Sequence, residues 1–432
     1  MNYNFTNTAA GDGVQICTIK AQGFKTACAS VSFAVPLGAD ASGFALAAYM
    51  LTHSSAKYPT FRLLEKKLAS LYGAGIGVDI SKSGESQVIE LYITCIDDRF
   101  ALEGESIVGN CCELLFDIIF DPNVTDGKFG AEETETEKRI LCEQLAAEMS
   151  DKRFYARTRC EEIMCADEPY GINRFGTKED ILKLDPESLY SAYKKLLETS
   201  FITLGVSGGS DFEEIKNMFL ARLAGVKRAP VLSQAVFKQK ADEVKYVKET
   251  EPVKQGKLVM GFRLGMADEE DMYAARRVMA DLFGGSPHSK LFTVVREKMS
   301  LCYMCSARMF RRKGIMFVQS GIETDNEQKA KDAILAQLKA IENGDFTQDD
   351  LDYSIKGLED SFKSVTDTPE ALASWFTSQS LSGKYYYPED YIAMFKAVTK
   401  EQVMQAAAAV TLDTVFMLAG DMTDAGEEEE AE

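Results

Sequence analysis

Ala27-Cys-Ala-Ser-Val-Ser-Phe-Ala-Val-Pro-Leu-Gly38 and Lys257-Leu-Val-Met-Gly-Phe-Arg-Leu-Gly265 are the two stretches that decide the fold. Each is a short, mostly apolar run closed by glycine, the pattern of a buried strand. Each leads into an alanine-rich helix, Gly43 to Leu51 in the first half and Asp271 to Phe283 in the second, and then into a small polar break. Beyond the break, Phe61-Arg-Leu-Leu-Glu-Lys-Lys-Leu68 runs parallel to Phe292-Thr-Val-Val-Arg-Glu-Lys-Met299, and an aromatic turn follows each, at Tyr72 and Tyr303. Two related units of about two hundred residues are the simplest account of patterns that stay in step.

Working outward, Ile89, Leu91, Ile93 and Cys95 alternate with Glu90, Tyr92 and Thr94, the period of a strand with one buried face. Helices are expected from Ile107 to Phe120, stopped at Asp121-Pro122, and from about Glu132 to Met149. In the second half the counterparts are a strand from Ile315 to Ser320 and a helix from Glu327 to Ile341, with Ala330, Ile334, Leu338 and Ile341 on one face. Thr347 and Asp350 have the spacing of a capping box. Both halves close on a strand, beginning at Phe201 and at Val415. The fold class is therefore α+β, two homologous repeats of a mixed sheet covered by helices. The expected boundaries are 1–225 for the first repeat, 226–255 for a polar, Lys-rich connector, 256–424 for the second repeat and 425–432 for a solvated, disordered acidic tail.

The 432 residues, 46% of them hydrophobic, suffice for two cores. No apolar run approaches the ~20 residues that span a bilayer, and the first residues carry neither a basic region nor an apolar signal core, so the expected compartment is the cytoplasm, without membrane association. A net charge of −19 argues against nucleic acid, which needs clustered Lys and Arg. If the chain encloses a cavity, the same acidity favours cationic peptides over anionic ligands. Ten cysteines without framework spacing read as buried thiols. Cys302 and Cys305 have redox or zinc spacing, but in a regular strand residues three apart face opposite ways, which argues against it.

Three local sequences carry a family resemblance: Tyr58-Pro59, Leu71-Tyr72-Gly73-Ala74, and Ser289-Lys-Leu-Phe-x-x-Val-Arg296-Glu-Lys298 followed by Leu301 and Tyr303. The last is similar to the Ser-Arg-Leu-Phe-x-x-x-Arg-Glu-Lys-x-Gly-Leu-x-Tyr signature of the insulinase, pitrilysin and mitochondrial processing peptidase family, with Ser300 where glycine is usual. The resemblance runs from about Gln15 to Gly420 and implies two α+β repeats facing each other as a clamshell around a peptide-holding chamber.

Family enzymes carry His-x-x-Glu-His on the first helix, because imidazoles four apart share a helical face and the Glu deprotonates the metal-bound water. Aligned here, those positions are Ala45, Ala48 and Tyr49, and the family's third ligand, a Glu on the long helix, falls on Gln144. Glu137 and Glu143 remain beside it. The two histidines, His53 and His288, occupy comparable helix ends and nominate no other ligands. No Gly-x-Ser-x-Gly elbow, phosphate loop or dinucleotide turn offers a substitute chemistry. No catalytic residue, metal or cofactor is therefore expected.

Arg296 and Tyr303 survive, and the family's equivalents hold substrate backbone opposite the zinc. The resemblance thus implies a peptidase-family subunit, inactive alone, that pairs with a zinc-bearing relative or with itself and helps bind short unstructured peptides. The alternative is a structural or accessory subunit of a larger assembly or bacterial modification pathway.

Overall fold

A computed structural model describes residues 3–209, 212–267 and 270–420. The tail expected at 425–432 lies outside them. The chain divides into two compact units, each built on one mixed sheet.

The first sheet contains β1 (Tyr3–Ala9), β2 (Val14–Ala21), β3 (Thr26–Pro36), β4 (Gly75–Ser83), β5 (Ser86–Ile96) and β6 (Phe201–Gly208), in the order β1-β2-β6-β3-β5-β4. The second contains β7 (Lys245–Glu251), β8 (Gly256–Arg263), β9 (Cys302–Phe310), β10 (Ile315–Ile322) and β11 (Thr411–Gly420), in the order β7-β11-β8-β10-β9. Apart from the extra edge strand β1, the orders coincide when β2 is matched to β7, β6 to β11, β3 to β8, β5 to β10 and β4 to β9. Even the exceptional pairing is repeated, since β2–β6 and β7–β11 are the parallel pairs in sheets otherwise antiparallel. The two stretches quoted first are thus the central strands β3 and β8.

The match corrects one reading. The segment expected to be a connector, 226–255, contains β7, the counterpart of β2 and the second sheet's edge. Its residues, Lys-Tyr-Val-Lys-Glu-Thr-Glu, alternate between exposed and half-buried and show no apolar face, as an edge strand permits.

The units are also discontinuous in sequence. Of the described residues, the first takes those within 3–145, 172–234 and 363–386, and the second those within 146–171, 235–362 and 387–420. Each half of the chain therefore supplies a helical segment to the other half's sheet. The first unit takes the helix Pro369–Thr377, whose Leu372, Ala373 and Phe376 pack on Ile19, Ala21 and Phe24, with Phe376 stacked 3.9 Å from Phe5. The second takes the helix Lys152–Met164, whose Ala156, Cys160 and Met164 pack on Val259, Phe317, Phe416 and Leu418. Glycine marks both contacts. A Cβ on Gly205 in β6 would lie 2.4 Å from a Thr377 methyl, and one on Gly261 in β8 would lie 2.7 Å from the Met164 sulfur. Only the bare backbone lets these helices come so close.

Five helices of the first half matter for the site: α1 (Ala41–Leu51), α2 (Phe61–Ser70), α3 (Ile107–Phe120), α4 (Ala131–Ser150) and α5 (Lys152–Met164). α1 is nearly all small or apolar, and ten of its eleven residues are buried. The apolar α3 supplies the largest helical share of the first core, including Leu114, Leu115, Phe116, Ile118 and Ile119. The capping box at Thr347 forms as the sequence predicts, with Thr347 N–H donating to the Asp350 carboxylate at 2.9 Å and Asp350 N–H donating to the Thr347 hydroxyl at 3.1 Å.

Candidate functional site

The first candidate site lies between α1 and α4. Ala45 and Ala48 are fully buried and present only methyl groups to the core. Tyr49, half-buried, donates its phenolic O–H to the side-chain carbonyl of Gln144 at 3.1 Å. The residues aligned with the second imidazole and with the ligand Glu therefore meet, as a neutral hydrogen bond with no ionisable ligand in it. Just past the end of α1, His53 Nε2 lies 3.2 Å from Glu137 Oε1 on α4. Burial raises the Glu137 pKa against the opposing pull of His53 and Arg139. Glu143 faces solvent and pairs with Arg139 at 2.8 Å, an i,i+4 pair worth about 0.3–0.5 kcal/mol. Among the described residues no group of three or more His, Cys, Asp or Glu is placed to hold a metal ion. His288 stacks on Tyr353 with ring centroids 4.9 Å apart.

The second candidate site lies on the second unit. Arg296 is carried by the π-helical segment Leu291–Lys298, which packs beside β9. Its guanidinium stands 4.2 Å from the centre of the Phe292 ring and 5.7 Å from that of Tyr303. Tyr303 is 80% exposed on β9, the outer strand of its sheet. Beside it is a pocket of about 40 Å³ whose lining includes Arg153, Lys257, Tyr303, Gln319 and Gly321. Burial, with the neighbouring Arg153 charge, pushes the Lys257 pKa down. The arrangement places guanidinium, ammonium and phenol donors next to the outer strand of the sheet.

Two features of this segment had no signal in composition. Ser300, standing where the signature has glycine, adopts φ +51°, the left-handed region in which glycine carries no strain. The two aromatic turns are also not equivalent: Tyr72 itself is left-handed at φ +59°, whereas Tyr303 belongs to a strand. The second helix is shorter, eight residues against ten in α2, so the left-handed turn comes earlier and Tyr303 passes into β9.

Asp281, in the π-helical turn Asp281–Gly285 that precedes the signature, is 5% exposed and one of its carboxylate oxygens has no hydrogen-bond partner. Burial pushes its pKa up to about 6, against Arg277. The folded state thus holds this proton more tightly than the unfolded chain, so its stabilising contribution is complete below about pH 4 and is lost as pH rises through about 6. Asp281→Asn is expected to raise stability at pH 7.5 by about 1–3 kcal/mol, with the difference vanishing near pH 4. Urea unfolding at both pH values checks this, and equal effects at the two would refute it.

Residues 183–358 match the model of the peptidase M16 inactive domain. The chain is similar to the M16 peptidase family, and in particular to proteins of that family described as inactive. It is 29% identical over 409 residues, covering 94% of this chain and 96% of the relative, to the probable inactive metalloprotease YmfF of Bacillus subtilis (strain 168). It is 24% identical over 361 residues, 79% of each chain, to the uncharacterized zinc protease YmfH of the same organism. A crystal structure of a conserved protein from Enterococcus faecalis V583 superposes with a TM-score of 0.89 at 26% identity, covering 98% of this chain and all of that one. Among the described residues, no helix is long and apolar enough to cross a membrane.

Proposed function

We propose that this chain is a cytoplasmic, non-catalytic subunit that pairs with a zinc-bearing member of its family and presents Arg296, Tyr303 and the β9 edge to a short, extended peptide. One observation carries the reading. The positions that would hold zinc are closed by the Tyr49–Gln144 hydrogen bond and two buried alanines, while Arg296 and Tyr303 remain stacked beside an outward-facing strand. A peptide added along β9 gains main-chain hydrogen bonds that demand little of its sequence, and the guanidinium and phenol fix its register. Water activation is left to the partner. That one bacterium holds both a probable inactive relative and a zinc-protease relative supports a division of labour.

The test is co-purification from native cells, followed by reconstitution with any recovered relative that carries an intact His-x-x-Glu-His. In the reconstituted pair, Arg296→Ala is expected to lower kcat/KM for peptide cleavage by about 10- to 100-fold, from lost orientation of the substrate. Chelator-sensitive hydrolysis by the isolated chain would refute the proposal, as would full activity of the pair containing Arg296→Ala.

A further inference from the structure

Cys302 and Cys305, read from spacing as facing opposite ways, share a face. The pairing of β9 with β10 shows why. Cys305 lies opposite Ser320 and Met304 opposite Gly321, but the next pair is Cys302 with Ile322, so Tyr303 is an extra residue with no partner. This is a β-bulge, and it inverts the alternation of everything before it. Residues opposite each other point to the same side, and Ser320 and Ile322, two apart on β10, share a side. Cys302 and Cys305 therefore do too. Their Cα atoms span about the two-residue step of the partner strand, roughly 6.7 Å, at the upper end of the separation a disulfide bridges.

We propose that Cys302 and Cys305 form an oxidisable dithiol, in which Cys302 reacts with a hydroperoxide and Cys305 resolves the product to an intramolecular disulfide. The two thiols differ in the way this requires. Cys302 is half-buried and reachable by a small oxidant, whereas Cys305 is only 4% exposed. The Cys305 thiol, then the Ser320 hydroxyl and the Arg296 charge, bring the Cys302 pKa down to about 7, against burial. The Ser320 hydroxyl is buried and otherwise lacks a hydrogen-bond partner. Cys305 is pushed up, chiefly by its bond to Cys302 and by burial, and remains a thiol. Among the ten cysteines this pairing of a depressed with a raised thiol on one strand face is not repeated: Cys17, Cys28, Cys95, Cys112, Cys160 and Cys165 are all shifted upward, mainly by burial or a neighbouring thiol.

The chemistry balances as a two-electron oxidation. The Cys302 thiolate attacks the terminal oxygen of the hydroperoxide. The S–O bond forms, the O–O bond breaks, and the departing alkoxide or hydroxide takes up the proton that Cys302 released. Cys305 then attacks the sulfenic sulfur. The S–S bond forms, the S–O bond breaks, and hydroxide leaves as water with the Cys305 proton. Converting Cys302 from thiolate to sulfenic acid also removes the negative charge that held the Cys305 proton in place.

The full-length chain is treated with hydrogen peroxide near stoichiometry, quenched with an alkylating agent and mapped by mass spectrometry. The expected result is loss of two hydrogens confined to the peptide bearing Cys302 and Cys305, reversed by dithiothreitol. The pH profile of Cys302 alkylation should have its midpoint near 7 in place of the ~8.5 of an ordinary thiol. In Cys305→Ser, the sulfenic acid should persist at residue 302 and be trapped by dimedone. Three results would overturn the proposal: both thiols still alkylatable after peroxide has oxidised the partly exposed Cys142, a Cys302 midpoint at or above ~8.5, or a disulfide formed only between chains. The unsubstituted protein decides the matter even if Cys305→Ser fails to fold.

Discussion

Arg263→Ala is expected to cost the second unit about 3–5 kcal/mol, the loss that follows when one member of a buried charge network is removed. Arg263 projects from the central strand β8 and is 0% exposed. Its Nε donates to Asp413 at 2.8 Å, and its two Nη groups donate to the two Glu168 oxygens at 3.2 and 2.6 Å. Nη2 also reaches the Met164 carbonyl at 2.9 Å, and Lys313 Nζ lies 2.5 Å from Glu168. Two cations thus balance two carboxylates out of water. Burial alone would raise the Glu168 pKa, but hydrogen bonds from Arg263 and Lys313 outweigh it and hold the carboxyl below the usual glutamate range. Alanine would leave Glu168 with Lys313 and deprive Asp413, 2% exposed, of the guanidinium it faces. Because Glu168 and Met164 belong to the segment that the first half lends to the second sheet, the network also pins that segment. Urea unfolding monitored in the second unit checks the figure, and a loss below ~1 kcal/mol would show that water or a shifted side chain compensates.

The second large effect is a gain. Ala45→His, Ala48→Glu, Tyr49→His and Gln144→Glu together are expected to give a chain that binds about one zinc, where Tyr49→His alone binds none. The geometry supports this because Tyr49 already touches Gln144, so the last turn of α1 and the middle of α4 approach closely enough for shared ligation. Without metal the same chain would bury two carboxylates in a core now closed by methyl groups and a neutral hydrogen bond. It should therefore unfold more readily in chelator and recover with zinc, because metal binding to a site formed only on folding is folding free energy. Equilibrium dialysis with metal analysis, and thermal unfolding with and without chelator, provide the measurements. Absence of zinc in the quadruple variant would show that the approach of α1 to α4 has lost the catalytic geometry as well as its residues.

Cys302 with Cys305, and the positions aligned with His-x-x-Glu-His, are read very differently from sequence. The reading of Ala45, Ala48, Tyr49 and Gln144 comes from the family resemblance, whose motif lies on helices that fix which residues share a face. The same rule fails for Cys302 and Cys305. It assumes unbroken alternation, and one unpaired residue, Tyr303, restores the two thiols to one side. Tyr303 itself is legible in the signature, but its exposure, the bulge that presents it and the outer position of β9 follow from how β9 pairs with β10.

The sequence by itself determined the duplication, the central strands β3 and β8, the helices from Ile107 to Phe120 and from Glu327, and the absence of any His-x-x-Glu-His. All of these are local: they rest on the period of side chains along one element, on caps, and on residues spaced within a few turns. Tertiary structure alone decided the exchange of residues 146–171 and 363–386 between the two halves, the recruitment of β7 as an edge strand, and the meeting of Tyr49 with Gln144. These depend on which apolar face finds which sheet across the length of the chain. An amphipathic helix records that it has a face to bury, but not against which strands.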